Sequence, residues 1–269
     1  MIKDSFGRPL FNLRVSVTQR CNLHCPYCHR EGEEKHANNP LTEMTSEEIV
    51  RIVRVAVNLG MKRVKITGGE PLLRPDILDI VKGIAEIPGL KDLSMTTNGT
   101  LLSKYAEGLH RNGLKRVNVS IPTLDSEIYH KLMDGNLQDV LNGIEAAVKT
   151  GFKPVKLNML ILKGVNEKEI PKMINFASKS GTILQLIELE PVNVSDAYFE
   201  QYHCGLEEEE AGLKEKAVKV ETRGDMQNRR VYHLPNVTVE VIHPIENTEF
   251  CARCTRLDLG HSRNARRAW

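Results

Sequence analysis

Three cysteines near the amino end are the residues of this sequence best placed to do chemistry. Cys21, Cys25 and Cys28 stand in VTQRCNLHCPYCHREG, at spacings of four and three residues. A loop this tight can bring three thiolates onto three corners of an iron–sulfur cube. The fourth iron then keeps an open position, which a metal needs in order to bind and act on a small molecule. A structural zinc site completed by His24 or His29 is the alternative.

The remaining cysteines and the overall composition indicate the cellular location and the use of the thiols. Cys251 and Cys254 form a second pair, CARC, and Cys204 stands alone. The start MIKDSFGRPL lacks a secretory pattern, and no apolar run is long enough to span a bilayer, which predicts a cytoplasmic protein without membrane contact. Clustered thiols in such a protein indicate metal sites before disulfides. The formal charge of +2 does not suggest nucleic-acid binding.

Short β-branched runs alternate with amphipathic helical stretches over the first 190 residues. The predicted strands are 13–18, 64–67, 92–97, 116–121, 154–162 and 183–189. The predicted helices are 46–60, 75–87, 101–112, 136–150 and 167–179. Six β-then-α steps imply parallel strands with right-handed crossovers, which are too few for an eight-stranded barrel. We therefore expect an α/β fold, with a partial (β/α)6 barrel at 1–190.

A small α+β extension at 191–269 is expected to carry the second cysteine group. It contains a predicted helix at 206–221 and a hairpin from 229–234 and 237–242, divided by Pro235-Asn236. The tail GHSRNARRAW has almost no apolar periodicity and is not expected to pack.

Further motifs follow the predicted strands, at the end where barrel folds gather their active sites. KITGGEP ends the second strand, TTNGT ends the third, and VNVS, with Ser120, ends the fourth. In KITGGEP, Gly68 and Gly69 permit close backbone approach to a ligand, and Glu70 can accept a hydrogen bond from a ligand ammonium group. Glycine pairs after strands are also common as ordinary turns.

These segments together resemble a known family. CNLHCPYC resembles the CxxxCxxC signature of the radical S-adenosylmethionine (SAM) superfamily, with Tyr27 as the customary aromatic residue, and KITGGEP resembles its GGE motif. FGRPLFNLRVSVTQRCNLHCPYCHREG, KITGGEPLLRPDI, LSMTTNGTLL, VKLNMLILKGVN and FCARCTR are similar to the GTP 3′,8-cyclase family of molybdenum cofactor biosynthesis. The resemblance implies a 4Fe–4S cluster that binds SAM, one-electron cleavage to a 5′-deoxyadenosyl radical, and hydrogen abstraction from the substrate GTP.

The resemblance also implies residue roles and partners. The cofactor pocket would include Tyr27, Gly69 and Ser120. The substrate pocket would include Arg14, Lys65, Thr96, Lys156 and Arg256. A nucleoside triphosphate carries about four negative charges, which the basic members of this set could offset. An ordinary ion pair or a snorkelling surface side chain is the alternative for Lys65 and Lys156. The family further implies a second 4Fe–4S cluster near the carboxyl end that helps to hold GTP, a reductant protein, and a homodimer as a candidate assembly.

The carboxyl-terminal segment departs from the family pattern. Cys251 and Cys254 are present, but the place of a further family cysteine falls in RRAW, and Asp258 replaces the second arginine of an Arg-x-Arg pair. One interpretation is a sequence truncated or frame-shifted after about Leu257, leaving a cyclase that only cleaves SAM. Another is a second cluster whose third ligand is one of three residues, Cys204, His203 or His243. A third is a paralogue with another substrate. CARC alone also suits half a zinc site or two free thiols.

Three functions are therefore compared. The leading hypothesis is a radical SAM lyase that acts on GTP. The second is a radical SAM enzyme with a different substrate, for example one that modifies a peptide. The third is a zinc-stabilised binding module, which offers no reason for GGEP at the end of the second strand.

Overall fold

A computed structural model describes residues 2–4, 6–28, 43–224, 226–245, 247, 250 and 252–260, and the backbone of 265–267. Within these residues the chain forms eleven strands and eight α-helices. The strands are β1 (Asn12–Ser16), β2 (Arg63–Thr67), β3 (Asp92–Thr97), β4 (Arg116–Ser120), β5 (Val155–Leu160), β6 (Ile183–Ile187), β7 (Lys219–Arg223), β8 (Arg229–His233), β9 (Thr238–Ile242), β10 (Arg256–Leu259) and β11 (Ala265–Arg267). The helices are α1 (Ser46–Asn58), α2 (Ile77–Ala85), α3 (Leu102–Arg111), α4 (Ser126–Met133), α5 (Leu137–Thr150), α6 (Ile170–Ser180), α7 (Asp196–Tyr202) and α8 (Glu207–Lys216).

The strands belong to one open sheet in the order β11-β10-β1-β2-β3-β4-β5-β6-β9-β8-β7. Strands β1 to β6 are neighbours in chain order and parallel, and β9 and β10 continue the parallel pairing at either side. Side chains from β1 and from β6 line the same cavity although four strands separate them, so the sheet is curled. This arrangement confirms the predicted partial (β/α)6 barrel.

Helices α1 to α6 pack on the sheet because each buries one apolar side, whereas α7 buries no residue and α8 buries only Leu213. Helix α1 illustrates this, with Ile49, Val53 and Val57 almost fully buried. Its amino end is a capping box, in which Thr45 accepts from the backbone N–H of Glu48 and the Glu48 side chain accepts in return. The cap lies one residue before the predicted start, and such a cap contributes about 1 kcal/mol.

The described structure differs from the sequence prediction mainly after residue 190. The predicted helix at 206–221 ends at Lys216, and its last part is instead β7, an exposed strand paired with β8. The tail expected not to pack contributes β11, which pairs with β10, while β10 itself joins β1 in parallel. Helices α4 and α7 were also missed. Pairing with distant strands decides β7, β10 and β11, and local periodicity does not record such partners.

The predicted hairpin is confirmed as β8 and β9, which form an antiparallel pair. The strands after residue 190 therefore extend the barrel sheet at both edges, with β7–β9 beside β6 and β10–β11 beside β1. The division of the chain at residue 190 stays a prediction. No helix among the described residues is long and apolar enough to cross a membrane.

Candidate functional site

The carboxyl ends of the strands surround a cavity of about 920 Å³. Two groups of side chains on its wall stand out. Cys21, Cys25 and Cys28 lie on the loop that follows β1, above the strand ends. Basic side chains lie one layer deeper, within the strands; those on the wall are Arg14, Lys65, Arg229 and Arg256. One cavity thus brings a trio of thiols together with a group of cations.

Burial and repulsion from neighbouring sulfurs favour the protonated thiols of Cys21 and Cys25 when no metal is bound. Burial raises the pKa of Cys25 to about 12, and repulsion from Cys28 and Cys21 adds to this shift. The pKa of Cys21 is also raised, first by burial. A positively charged metal centre among the three thiols would reverse this preference, because bound thiols are deprotonated. The three side chains therefore fit a cationic centre better than they fit free thiolates.

The GGEP segment after β2 fastens the cysteine loop by its backbone. The N–H of Gly69 donates to the carbonyl of Thr18 at 2.8 Å, and the N–H of Glu70 donates to the carbonyl of Arg20 at 2.8 Å. A Cβ on Gly68 would lie 2.5 Å from the Thr18 oxygen, and one on Gly69 only 2.4 Å from the Arg20 oxygen. The two glycines are required because these two loops touch through their backbones. They also line the cavity.

Glu70 is a buried carboxylate that joins the loops after β2 and β3. Its Oε1 accepts from the N–H of Leu72 at 3.0 Å and from the hydroxyl of Thr97 at 2.8 Å, and its Oε2 accepts from the N–H of Asn98 at 2.7 Å. Burial raises the pKa of Glu70 to about 7, although these bonds favour the ionised form. Protein donors therefore contact both oxygens of Glu70, and Oε2 has the capacity to accept one more hydrogen bond, so the expected ligand contact stays a prediction.

Asn98 connects this arrangement to the first cysteine. Its Nδ2 donates to the Oδ1 of Asn22 at 2.9 Å and lies 3.9 Å from the Sγ of Cys21. N–H donors beside cluster sulfurs are one way in which proteins tune such centres. On the other side, the hydroxyl of Tyr27 donates to the Sδ of Met133 at 2.9 Å, and that sulfur lies 3.3 Å from the Sγ of Cys25. The cysteine loop is thus held by neighbours on both sides.

The basic group carries more positive charge than its surroundings neutralise. Arg14 and Lys65 are register partners on β1 and β2, and Arg14 is also opposite Asp258 on β10. Asp258 lies 3.8 Å from Arg14 and 2.9 Å from Arg256. Burial lowers the pKa of Lys65 well below its usual value, and repulsion from Arg14 lowers it further. Within the described part of the chain, Lys65 makes no hydrogen bond or ion pair.

Comparisons with known proteins agree with this site. The sequence profile of the Radical SAM superfamily matches residues 15–177. A protein of Thermococcus kodakarensis named probable GTP 3′,8-cyclase is 50% identical over 265 residues, covering 96% of this chain and 84% of that protein. Its namesake in Methanothermobacter thermautotrophicus is 44% identical over 258 residues, covering 95% and 83%. The chain belongs to the radical SAM superfamily. Within that superfamily it belongs to the family of these archaeal relatives.

Solved structures support the radical SAM fold. Streptococcus suis SuiB bound to S-adenosylmethionine matches with a TM-score of 0.71 at 18% identity, and the match covers 96% of this chain and 60% of that protein. HydG, a maturase of the [FeFe]-hydrogenase, matches with a TM-score of 0.56 at 17% identity, covering 74% and 48%. At these identities both likenesses concern the fold alone.

Most residues predicted for the radical SAM cofactor and substrate pockets meet at the cavity. Those on its wall are Cys21, Cys25, Cys28, Tyr27, Gly68, Gly69, Ser120, Arg14, Lys65, Thr96 and Arg256. Their roles stay predictions. Cys251 and His29 lie outside the described residues. Among the described residues, no group of three or more His, Cys, Asp or Glu side chains is close enough to hold a single metal ion.

Lys156 is placed differently from the other predicted residues. It does not belong to the cavity wall, because it lies one layer below Asn158 on β5. There its Nζ lies 2.5 Å from the Oε1 of Glu240, and both side chains are almost fully buried. Glu240 also accepts from Gln185 and Arg223. The structure thus supports the ion-pair alternative for Lys156.

The three candidate third ligands of a second cluster have other neighbours. His203 and His243 both bind the buried carboxylate of Glu188, at 2.8 and 2.5 Å. Cys204 is half-buried and lies within electrostatic reach of Glu209, Glu167 and Glu188. Cys254 is buried and close enough to Arg229 to affect its pKa.

Sequence reasoning missed several cavity residues of this radical SAM chain. They are Asn98, Asn118, Asn158, Gln185, Glu190, Gln227 and Arg229. Polar residues at alternate positions of apolar strands, as in VNVS and KLNML, were an available signal for Asn118 and Asn158. Nothing local marked Arg229, because the approach of β8 to the cavity depends on the pairing of β9 with β6.

Proposed function

We propose that this chain is a GTP 3′,8-cyclase, a radical SAM lyase that converts GTP to (8S)-3′,8-cyclo-7,8-dihydroguanosine 5′-triphosphate in molybdenum cofactor biosynthesis. The observation that carries the proposal is the half-buried Lys65, which has no hydrogen bond or ion pair among the described residues and lies beside Arg14 in the same cavity as the three cysteines. A half-buried cation without a protein partner indicates an anionic ligand. The names of the archaeal relatives support the choice of GTP.

The three cysteines fit a 4Fe–4S cluster. They lie on one loop at the cavity, and the raised pKa values of Cys21 and Cys25 mean that a cationic centre nearby would favour their ionisation. When bound, the cluster supplies the electron that cleaves the sulfonium of SAM and releases the radical that abstracts hydrogen from the substrate. The zinc alternative accounts for neither the glycine-rich contact with the cysteine loop nor the cations of the cavity.

The chain's own side chains bind and orient the two small molecules. Arg14, Lys65 and Arg256 offset the charge of the triphosphate, which is about four negative charges at neutral pH. Tyr27, Gly69 and Ser120 form the wall beside the cysteines, where SAM would lie. The volume of about 920 Å³ is near the upper end of the range for small-molecule pockets, about 300–1,000 Å³. The cavity therefore has room for both ligands.

Glu70 and the two glycines, Gly68 and Gly69, support this chemistry by positioning the cysteine loop. They hold the cysteine loop against the loops after β2 and β3. Glu190 on the cavity wall faces the cations, and burial raises its pKa. A buried carboxyl in this position is suited to hold a hydrogen-bond donor of the substrate, while the walls exclude water from a reactive intermediate.

The remaining parts of the proposal concern the electron donor, the second cluster, the cellular location and the oligomeric state. We propose a reductant protein that delivers the electron near Cys21 and Cys28, which are exposed. We also propose a second 4Fe–4S cluster with Cys251 and Cys254 as ligands, supported by the proximity of Cys254 to Arg229, a residue of the cavity wall. A cytoplasmic location suits clustered reduced thiols. We propose a homodimer as the assembly, and sedimentation of the anaerobic protein would test this proposal.

The decisive experiment uses anaerobically reconstituted protein with SAM, dithionite and GTP. We expect 5′-deoxyadenosine to form together with loss of GTP. Formation of 5′-deoxyadenosine while GTP stays intact would reject the GTP assignment and keep the superfamily. The Cys25→Ala variant should form no 5′-deoxyadenosine and consume no GTP, because it lacks one of the three cluster ligands.

A matched pair of lysine variants tests the basic group. Lys65→Met removes the half-buried cation, and Lys62→Met removes an exposed one three residues earlier. We expect GTP binding to weaken about 10- to 100-fold for Lys65→Met, because a charge-assisted hydrogen bond is lost, and to stay unchanged for Lys62→Met. Equal affinities of the two variants for GTP would contradict the assignment of the cavity.

A further inference from the structure

Arg229, the first residue of β8, lies on the cavity wall although β8 is antiparallel to its neighbours and is not one of the parallel strands of the barrel. Its neighbour Arg230 shares the strand and the charge but has the opposite orientation. The Arg230 side chain is 61% exposed and lies 3.5 Å from Glu210. Successive side chains of a strand point to opposite faces, so only Arg229 can point into the site.

The turn before β8 positions the Arg229 guanidinium. Its Nη2 donates to the Oε1 of Gln227 at 2.7 Å, and Gln227 is itself buried. Gln227 and Asn228 both have left-handed backbones, with φ of 62° and 52°. Such conformations are unfavourable for residues other than glycine, and they concentrate where a site needs a particular geometry. The Nε of Arg229 is buried and has no hydrogen-bond partner among the described residues.

The nearby carboxylates are mostly engaged with other cations. Glu240 attracts Arg229, but its carboxylate already binds Lys156 at 2.5 Å and Arg223 at 3.1 Å. Burial lowers the pKa of Arg229 to about 10, and repulsion from Arg256 contributes to the shift. Among the described residues, the strand cations of the cavity wall therefore outnumber the carboxylates beside them that do not already bind Lys156. These cations are Arg14, Lys65, Arg229 and Arg256, and these carboxylates are Glu190 and Asp258.

We propose that Arg229, oriented by Gln227, binds the polyphosphate of the nucleotide substrate as a further basic contact. The inference rests on the proposed function, and it deepens that function by naming a strand and a turn that take part in substrate binding. A guanidinium with one edge held by an amide and an unpartnered Nε can donate to a phosphate oxygen. Its pre-set orientation lowers the entropy lost on binding.

The test measures equilibrium binding of GTP and of inorganic tripolyphosphate to the reconstituted protein by calorimetry. Arg229→Ala should weaken binding of both probes about 10- to 100-fold, the usual effect of losing one charge-assisted hydrogen bond. Arg230→Ala, the matched control on the outer face, should bind both within about twofold of the unchanged protein. Circular dichroism and thermal unfolding report whether each variant is folded.

Two milder variants serve if Arg229→Ala does not fold. Arg229→Lys keeps the charge but loses the planar fork, so binding should fall by less than in Arg229→Ala. Gln227→Ala removes only the orienting amide, and a reduction of about 3- to 10-fold in affinity for GTP is expected. Unchanged affinity for both probes in these two variants would overturn the inference.

The outcomes separate this inference from the proposed function. If the variants at Arg229 bind GTP as tightly as Arg230→Ala does, the inference fails and the cyclase proposal stands. If the unchanged protein binds tripolyphosphate but not GTP, and Arg229→Ala loses that binding, the phosphate contact stands and GTP is rejected. If the unchanged protein binds neither probe, both proposals fail.

Discussion

Replacing Gly69 by alanine tests whether the GGEP segment holds the cysteine loop. The new Cβ would lie 2.4 Å from the oxygen of Arg20 and 2.5 Å from the oxygen of Gln19, where ordinary contacts begin at 3.4 Å. Both are backbone atoms, and hydrogen bonds from Gly69 and Glu70 hold this part of the loop. Overpacking costs about 1–3 kcal/mol and each weakened hydrogen bond about 1 kcal/mol, so we expect a loss of about 2–5 kcal/mol.

Thermal unfolding of the metal-free protein, followed by iron analysis after reconstitution, measures both consequences. The expected loss corresponds to a melting temperature lower by about 5–15 °C for a chain of this size. Iron at the first site should fall with it, because Cys21 directly follows the displaced residues. Gly212→Ala is the matched control, since Gly212 lies in α8 with no atom within 4 Å of the added Cβ. That change should stabilise the helix by about 0.5–1 kcal/mol. An unaltered melting temperature and full iron content in Gly69→Ala would refute the reasoning.

Three further outcomes follow from the contacts described above. Lys156→Met should reduce the free energy of unfolding in urea by about 3–5 kcal/mol, because it leaves Glu240 buried without its closest cation; a loss of GTP affinity as large as that of Lys65→Met would contradict the structural role. The pKa of Glu70 is about 7 when folded against an ordinary 4.5, so the folded state holds the proton more tightly and the resulting stability is full below about pH 4.5 and lost as pH rises through 7. The melting temperature should therefore fall from pH 5 to 8 relative to Glu70→Gln, and a constant difference would count against it. Iron analysis should find about eight irons per chain if a second cluster forms and about four in Cys254→Ala; about four in both would remove the second cluster.

Features encoded by near neighbours in the chain were predicted well. The boundaries of β3 agree with the prediction, and those of β2 differ by one residue. The cysteine spacing places all three thiols on one loop, and the capping box begins α1 within one residue of its expected start. These features depend on periodicity and on side-chain to backbone contacts a few residues apart, which the sequence displays directly.

Features that depend on partners far along the chain were predicted poorly. The contacts of Glu70 with Thr97 and Asn98 were not foreseen, because these donors lie on a loop 27 and 28 residues away. Lys156 looked like a substrate contact, and its partner Glu240 is 84 residues distant. Arg229 was overlooked, since only the addition of β9 and β8 to the barrel brings it to the cavity. Charge pairing inside a sheet is decided by strand order, which a single strand does not record.

By itself the sequence determined the class of fold, the cysteine trio and the family, because tight spacing and regular alternation are local properties of a chain. Only the tertiary structure decided which cations of the cavity are paired with a carboxylate and which are not. Asp258 and Glu240 each neutralise particular partners, while Lys65 keeps none among the described residues. The physical reason is that burial makes a charge costly, so its role depends on whichever opposite charge the fold brings within reach.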